Sequence, residues 1–397
     1  MMDVLIWVEF IVTIAILMVV ARKSLWIALA VSSLFLGLVS VSFADLSVIV
    51  TDVLFDPSIL LLSLSVGIIA MIGGALEMTG LIDDLMLNTS LRRRPALLVL
   101  PAMLGMLPIP GGALLSAPVV KGAAGSAPAD VKVGINVWSR HLAVLFYPLG
   151  SLLATTKMAG LDLYEVMLYA IPGLILTSLL TWIFLIRKVD GGPIHEGEKE
   201  RKKAYLPVVL ILIAPLIHAS LMYLFPGIME ELFLLMGVSL SLALILIVKG
   251  KGLDFLFPVV KRMRAWNFAL IILALFIFLE VFKSSNASEA IASLPLSRAL
   301  MVVFAGGFLG VVTGRVNIPI SVMLPILSTA AYPQINYITF SILFFSIFIG
   351  YLLSPIHPCM SVSLEYFRTD YTSVLKRTIV PAVIAWAFVL VLALFLI

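Results

Sequence analysis

Charge is scarce in this sequence. Of 397 residues only 12% are charged and 62% are hydrophobic, with mean hydropathy +1.18, whereas about a quarter of a soluble domain is charged. A soluble globular chain is thereby excluded. Cysteine occurs once, at Cys359, and on that count a disulfide framework and a cysteine-ligated metal are both ruled out. No His-Glu-x-x-His, Gly-x-Ser-x-Gly or P-loop pattern occurs, so metalloprotease, hydrolase and ATP-driven pump lack their chemistry. Period-two alternation is missing too, which excludes a membrane β-barrel. The start, Met1-Met2-Asp3, carries neither a basic n-region nor a small-residue cleavage site, so the first apolar segment is expected to be an anchor and not a signal peptide.

What remains is a series of apolar stretches of about 18 to 22 residues, each able to cross a bilayer core of about 30 Å as helix. Basic residues cluster between them: Arg22-Lys23, Arg92-Arg93-Arg94, Lys121 with Lys132, Arg187 through Lys203, Lys249 through Arg264, and Arg368 with Lys376-Arg377. These clusters hold 21 of the 26 Lys and Arg, with Lys157, Lys283 and Arg298 in the opposite loops and Arg140 and Arg315 inside apolar segments. The positive-inside rule puts the clustered loops in the cytoplasm of an inner-membrane protein, both termini outside. The net charge of +4 is thus a topology signal, and no nucleic-acid partner is implied.

The resulting fold class is an all-α polytopic membrane protein built as two inverted repeats. Repeat 1 covers 1–186, with helices near 4–21, 25–44 and 58–78, a cytoplasm-opening re-entrant hairpin over 95–120, a broken helix over 134–157 and a helix near 164–186. Residues 187–204 form a cytoplasmic linker. Repeat 2 covers 205–397, with helices near 205–225, 231–249 and 266–283, an outside-opening hairpin over 296–327, a broken helix over 335–362 and a helix near 378–397. The halves match at odd positions. Pro118 and Pro325 are 207 residues apart, as are Pro148 and Pro355; Glu77 and Glu280 are 203 apart, and Pro172 and Pro381 are 209 apart. Five spans plus one hairpin per half force the second repeat to be inverted. Inverted repeats with discontinuous helices point to secondary transport, with the site near the midplane.

Leu76-Glu77-Met78-Thr79-Gly80-Leu81 resembles an element of the ion transporter superfamily, which includes gluconate, dicarboxylate/citrate and arsenite permeases and the TRAP membrane subunit. Pro108-Ile109-Pro110-Gly111-Gly112-Ala113 and Ser354-Pro355-Ile356-His357-Pro358-Cys359 are more similar still to the family called domain of unknown function four hundred and one. The resemblance covers nearly the whole chain. It implies a scaffold, a mobile domain carrying the hairpins and broken helices, and a homodimer. It names no substrate. The first tip lacks the Asn and Thr of the dicarboxylate branch, Ser116 being its nearest hydroxyl, so the coupling ion stays open between H+ and Na+; no other cofactor and no resident metal are expected.

The candidate site follows from the breaks. Half-helices that begin inside the membrane present free N–H groups and positive dipole ends, suited to an anion. The residues placed there are Pro110, Gly111, Gly112 and Ser116 in the first hairpin, Gly150 and Ser151 in the first broken helix, Gly314, Arg315 and Asn317 in the second hairpin, and Ser354 and His357 in the second broken helix. Asn317 reads as an N-cap with Pro319 inside the start, and Ser354-Pro355 as N-cap and N1, with Pro148 opening the matching half-helix. Arg315 either contacts the anion or caps hairpin carbonyls. Coupling-ion or proton candidates are Thr313, Ser321, His141, His357, Glu77 and Glu280, the last two also readable as surface residues near helix ends. Arg140-His141 reads equally as an interfacial pair or a site pair. Asp83-Asp84 and Glu230-Glu231 are expected at solvated loop ends.

The expected function is secondary transport of a small carboxylate-like anion by elevator-type alternating access. A cation/proton antiporter of the same superfamily is the alternative, although the tips hold no carboxylate. A channel, or an intramembrane enzyme using Ser151 with His357, is a minor one.

Overall fold

The structure, a computed structural model, describes residues 2–109, 111–192, 200–329 and 334–397. The expected site residue Pro110 and the centre of the 187–204 linker, with His195, lie outside the described residues. Helices make up 82% of the described residues.

The first helices are α1 (Met2–Ala21), α2 (Leu25–Ser40), α3 (Phe43–Phe55), α4 (Pro57–Met78) and α5 (Leu81–Asn88). Helix α3 fills a stretch expected to be a loop. Ser42 caps it by accepting from the Asp45 N–H at 3.1 Å, and only Leu46 and Val53 are buried along it. Phe43 and Phe55 at its two ends are exposed, so it lies on the surface of the bundle. Helix α4 starts where the Asp56 carboxylate accepts from the Ser58 and Ile59 amides at 2.7 and 3.1 Å, with Pro57 in the first turn; a proline costs no hydrogen bond there.

The first hairpin is α6 (Arg93–Gly105) and α7 (Ala113–Ala124). The broken helix is α8 (Ala129–His141), a short α9 (Ala143–Phe146) and α10 (Ser151–Ala159), bent by 42° across the interruption. Next, α11 (Leu163–Thr181) continues through a π turn to Ile186. The second half begins with α12 (Arg201–Leu224), α13 (Glu230–Val248), a short amphipathic α14 (Leu256–Met263), α15 (Ala265–Ser284) and α16 (Ala287–Ala292). Its hairpin is α17 (Arg298–Leu300), a π turn over Met301–Ala305, α18 (Gly306–Thr313) and α19 (Asn317–Leu327). The chain closes with α20 (Tyr337–Leu353), α21 (Pro358–Phe367) and α22 (Tyr371–Leu396). Helix α22 starts earlier than the expected 378, because Asp370 accepts from the Ser373 amide at 2.9 Å and lets the helix include Lys376 and Arg377.

Among the described residues seven helices are long and apolar enough to cross a membrane, eight if the bent pair is one span. Helices α1 and α2 are shorter apolar helices. This is a polytopic, membrane-type helical protein.

Contacts sort the helices into two groups. In one, α4 packs on α13, α14 and α15, α2 on α1 and α15, and α12 on α13 and α5. In the other, α6, α7 and α8 pack together, α21 packs on α7 and α8, and α20 packs on α11, α18 and α22. The interrupted helices all belong to the second group. They meet across the halves: α7 lies against α21, and α10 against α19.

Candidate functional site

Four helices begin at the interruptions: α7, α10, α19 and α21. The residues just before them are Gly112, Gly150, Val316 and His357, and none makes a side-chain cap hydrogen bond. The starts of α3, α4, α11, α20 and α22 are capped by Ser42, Asp56, Asp162, Asn336 and Asp370, whereas α2, α6, α8, α12, α13 and α15 also begin without a side-chain cap. Each interrupted start therefore leaves amide N–H groups unclaimed by a capping side chain. The cap assignments made from sequence shift accordingly. Asn317 is the first residue of α19 and not its cap, Ser354 ends α20, and Pro358, not Pro355, opens α21. Pro148 sits in the turn before α10, which opens at Ser151.

Three of these starts, those of α10, α19 and α21, border a cavity of about 320 Å³. Gly150 and Ser151 reach it from α10, Asn317 from α19 and Cys359 from α21. Arg140, His141, Tyr147, Tyr351 and Arg315 supply the rest of its polar lining, and Val66, Ile69, Phe268, Ile271 and Ile272 of α4 and α15 wall the far side. No Asp or Glu among the described residues lines it.

Arg140 comes from the end of α8 and is 5% exposed. Two glycines make room for it. A β-carbon on Gly105 would strike the Arg140 carbonyl, and one on Gly112 would strike the guanidinium itself. The guanidinium thus covers the start of α7, which does not reach the cavity directly. It also lies against Cys359, while Nη1 has no hydrogen-bond partner.

Arg315 stands on the α18–α19 turn just after Gly314, whose positive φ of 59° suits a residue without a side chain. It lines both this cavity and a second one of about 400 Å³ bounded by Arg22, Thr313, Ile356 and Ser361. Its Nη2 donates to the Ala21 carbonyl at the end of α1, 3.4 Å away, so the carbonyl it meets belongs to α1 and not to the hairpin. Neither arginine takes part in an ion pair formed among the described residues.

His141, Tyr351 and His357 form an aromatic knot beside the arginines. The Tyr351 and His357 rings stack at 4.0 Å, and the His141 ring stands edge-on to both, at 5.0 and 4.5 Å. His141 Nδ1 lies 2.6 Å from the Val137 carbonyl. Asn317 Oδ1 and Ser354 Oγ are buried without a hydrogen-bond partner. Neither nitrogen of His357 makes a full hydrogen bond, although the Tyr351 main chain is within interaction range of the imidazole.

A family model described as "Protein of unknown function (DUF401)" matches residues 4–397. The chain belongs to the DUF401 family. Among functionally curated proteins there is no match.

In this DUF401 protein several expected site residues do converge: Gly150, Ser151, Arg315, Asn317 and His141 line the cavity. Gly112 lies against Arg140, and Gly314 packs against Ser354 and the His357 backbone. Gly111 is exposed in the first tip. Thr313 faces the second cavity and donates to the Arg315 carbonyl at 3.2 Å. Ser116 and Ser321 are not in the cavity wall; each donates to a carbonyl of its own helix, Ala113 and Ile318 respectively.

Glu77 and Glu280 lie apart from the cavity. Glu77 pairs with Arg262 at 2.5 Å and Glu280 with Lys283 at 2.7 Å. Glu231, expected at a solvated loop end, is 3% exposed; it accepts from Ser58 Oγ at 2.7 Å and pairs with Lys157 at the end of α10. It lines a separate small pocket with Glu230 and His218.

Tyr147, Tyr351 and Cys359 are polar cavity residues that sequence reasoning left out of the site, and Arg140, read there equally as interfacial or as part of the site, lines the cavity with them. The available signal was Arg140 itself, a charge about two turns before the break at 147–150.

Proposed function

We propose that this DUF401 protein is a secondary active transporter of a small carboxylate-like anion, built on the plan of the ion transporter superfamily. The observation that carries the reading is a pair of arginines without carboxylate partners, Arg140 and Arg315, lining one cavity that contains no acidic side chain. An unpaired guanidinium within the membrane is expensive unless something negative or watery visits it. The starts of α10, α19 and α21 add positive dipole ends to the same wall.

The repeat plan is part of the proposal, with repeat 1 over 1–186 and repeat 2, inverted, over 205–397. Matched prolines support it: Pro118 lies inside α7 and Pro325 inside α19, Pro172 inside α11 and Pro381 inside α22. Pro148 and Pro355 fall in the turns before α10 and α21. Each arginine comes from a different half. Helices α1–α5 and α12–α15 form the scaffold, and the remaining helices carry the anion past it as one block. H+ or Na+ drives the movement. The protein works as a homodimer in the inner membrane, with both termini outside, and performs no enzymatic step.

Purified protein screened by thermal shift against small carboxylates and oxyanions, with and without sodium, tests the reading. One class of anion should raise the melting temperature, and that anion should then accumulate in proteoliposomes under an ion gradient. Stabilisation by cations alone would overturn it in favour of a cation/proton antiporter.

A further inference from the structure

Two histidines and the only cysteine of the chain meet beside the cavity. His141 ends α8, His357 immediately precedes α21, and Cys359 is the second residue of α21. One ligand atom from each lies within 4.8 Å of the other two. Both imidazoles are buried, at 5% and 1% exposure, and Cys359 opens onto the cavity. We propose that His141, His357 and Cys359 form a three-coordinate site for a soft monovalent cation, Cu+, bridging the two halves of the chain.

The hydrogen bonding favours ligation. A backbone carbonyl only accepts, so the contact with Val137 places the His141 proton on Nδ1 and leaves the Nε2 lone pair free. Fixing one ring nitrogen so that the other can bind is the usual second-shell arrangement of a metal-binding histidine. His357 has no standard hydrogen bond at either nitrogen, a costly state for a buried imidazole that a bound cation resolves. Pro355 in the turn before α21 and Pro358 at its first position flank His357, and their fixed φ angles narrow the positions open to it.

Softness and charge select the ion. Thiolate with imidazole suits Cu+, whereas Zn2+ prefers four ligands in a tetrahedron. On binding, the Cys359 thiol gives its proton to cavity water and the sulfur takes the cation in its place. A monovalent ion therefore leaves the net charge of the cavity unchanged. A divalent ion would add one positive charge beside two guanidinium groups, with no carboxylate in the lining to offset it. Counting cysteines alone pointed away from a metal; the mixed His/Cys set becomes visible only once α8 and α21 are side by side.

This inference goes beyond the anion reading and is tested without any anion. Purified full-length protein, free of any histidine tag and kept anaerobic, is titrated with Ag+ as a redox-inert stand-in and with Cu+ from a competing chelator. One equivalent should bind, and the copper absorption edge of the wild-type complex should show two nitrogens and one sulfur. His141→Gln and His357→Gln should each weaken binding about ten- to a hundred-fold. Because Cys359 is the sole thiol, its protection from maleimide reports occupancy directly, and that protection should fall in both histidine variants. A wild-type spectrum without nitrogen ligands, or unchanged affinity in both variants, would reduce the site to a lone thiol and sink the proposal. Zn2+ binding more tightly than Cu+ would overturn the assignment of a monovalent ion. The spectrum needs only wild-type protein, so a poorly folding variant cannot hide the answer.

Discussion

The Arg140 guanidinium occupies the space that a β-carbon on Gly112 would need. The first hairpin tip and the end of α8 are therefore a fitted pair, and the fit decides where a positive charge sits. Gly112→Ala should push the guanidinium aside, lowering stability by about 1–3 kcal/mol as overpacking does, and should weaken anion binding in the molecules that remain folded. Gly122→Ala, in the same α7 but facing open space, is the comparison. It should be neutral or stabilising by about 0.5–1 kcal/mol. Melting curves on the two variants check both; equal behaviour would mean that the Gly112 contact has no consequence.

Arg315→Ala should abolish or strongly weaken anion binding while leaving a folded protein. Losing a charge-assisted contact costs about 1.5–3 kcal/mol, roughly ten- to a hundred-fold in affinity. Lys at 315 should rescue only in part, since it keeps the charge but loses the planar fork. Melting temperature and affinity are measured on the same preparations. Wild-type affinity in Arg315→Ala would confine the side chain to its bond with the Ala21 carbonyl.

Lys157 on α10 is held by Glu231 on α13 and, at 3.3 Å, by Glu230. Glu231→Gln should destabilise by about 1–3 kcal/mol. That is below the 3–5 kcal/mol of a fully buried pair, because Lys157 keeps 31% of its side-chain exposure and a second carboxylate. The double change Lys157→Met with Glu231→Leu should recover most of the loss. Urea midpoints of the two variants decide; if the double change is the worse of the two, the pair has a net stabilising role that neutral packing cannot replace.

Glu77→Gln and Glu280→Gln should do little. Their partners are Arg262 and Lys283, with side chains 58% and 40% exposed, and exposed pairs are worth about 0–1 kcal/mol. Neither substitution should alter the pH dependence of transport, measured in proteoliposomes. A lost pH dependence in either would put the proton path on these helices instead of near the cavity.

Topology is open to labelling. In a Cys359→Ser background, single cysteines at Ser42 and Pro226 should react with an impermeant maleimide from outside. Reaction from the cytoplasmic face alone would invert the orientation argued from the basic clusters.

Composition and spacing carried the helical membrane class and the places where helices break. Proline-bearing clusters at 108–112, 147–151 and 354–358 announce themselves, because proline lacks the N–H that a helix interior requires. What the sequence hid was of two kinds. Helix α3 was invisible because thirteen apolar and polar residues between two spans read equally as loop. The start of α21 moved from Pro355 to Pro358, since Ser354-Pro355 and Pro358 are both acceptable openings and only tertiary packing chooses between them.

The site was half legible for a related reason. Arg315 stands out as a lone charge in an apolar stretch. Arg140 was masked by its neighbour Lys132, which made an interfacial reading natural. Its burial depends on Gly105 and Gly112, positions 35 and 28 residues upstream, and no local pattern links them to it. Glu231 was hidden likewise, for Ser58 and Lys157 reach it from distant parts of the chain.

The uncapped helix starts have a consequence for how such a protein can change. Each start carries roughly half a positive charge that belongs to the main chain, so no single side-chain replacement erases it. In the proposed transporter a preference for anions would in this sense be inherited with the backbone, whereas the choice among anions would rest on exchangeable groups such as Ser151, Asn317 and Tyr351. A lineage could replace those one at a time and move from cargo to cargo without passing through a form that had lost the sign of its charge.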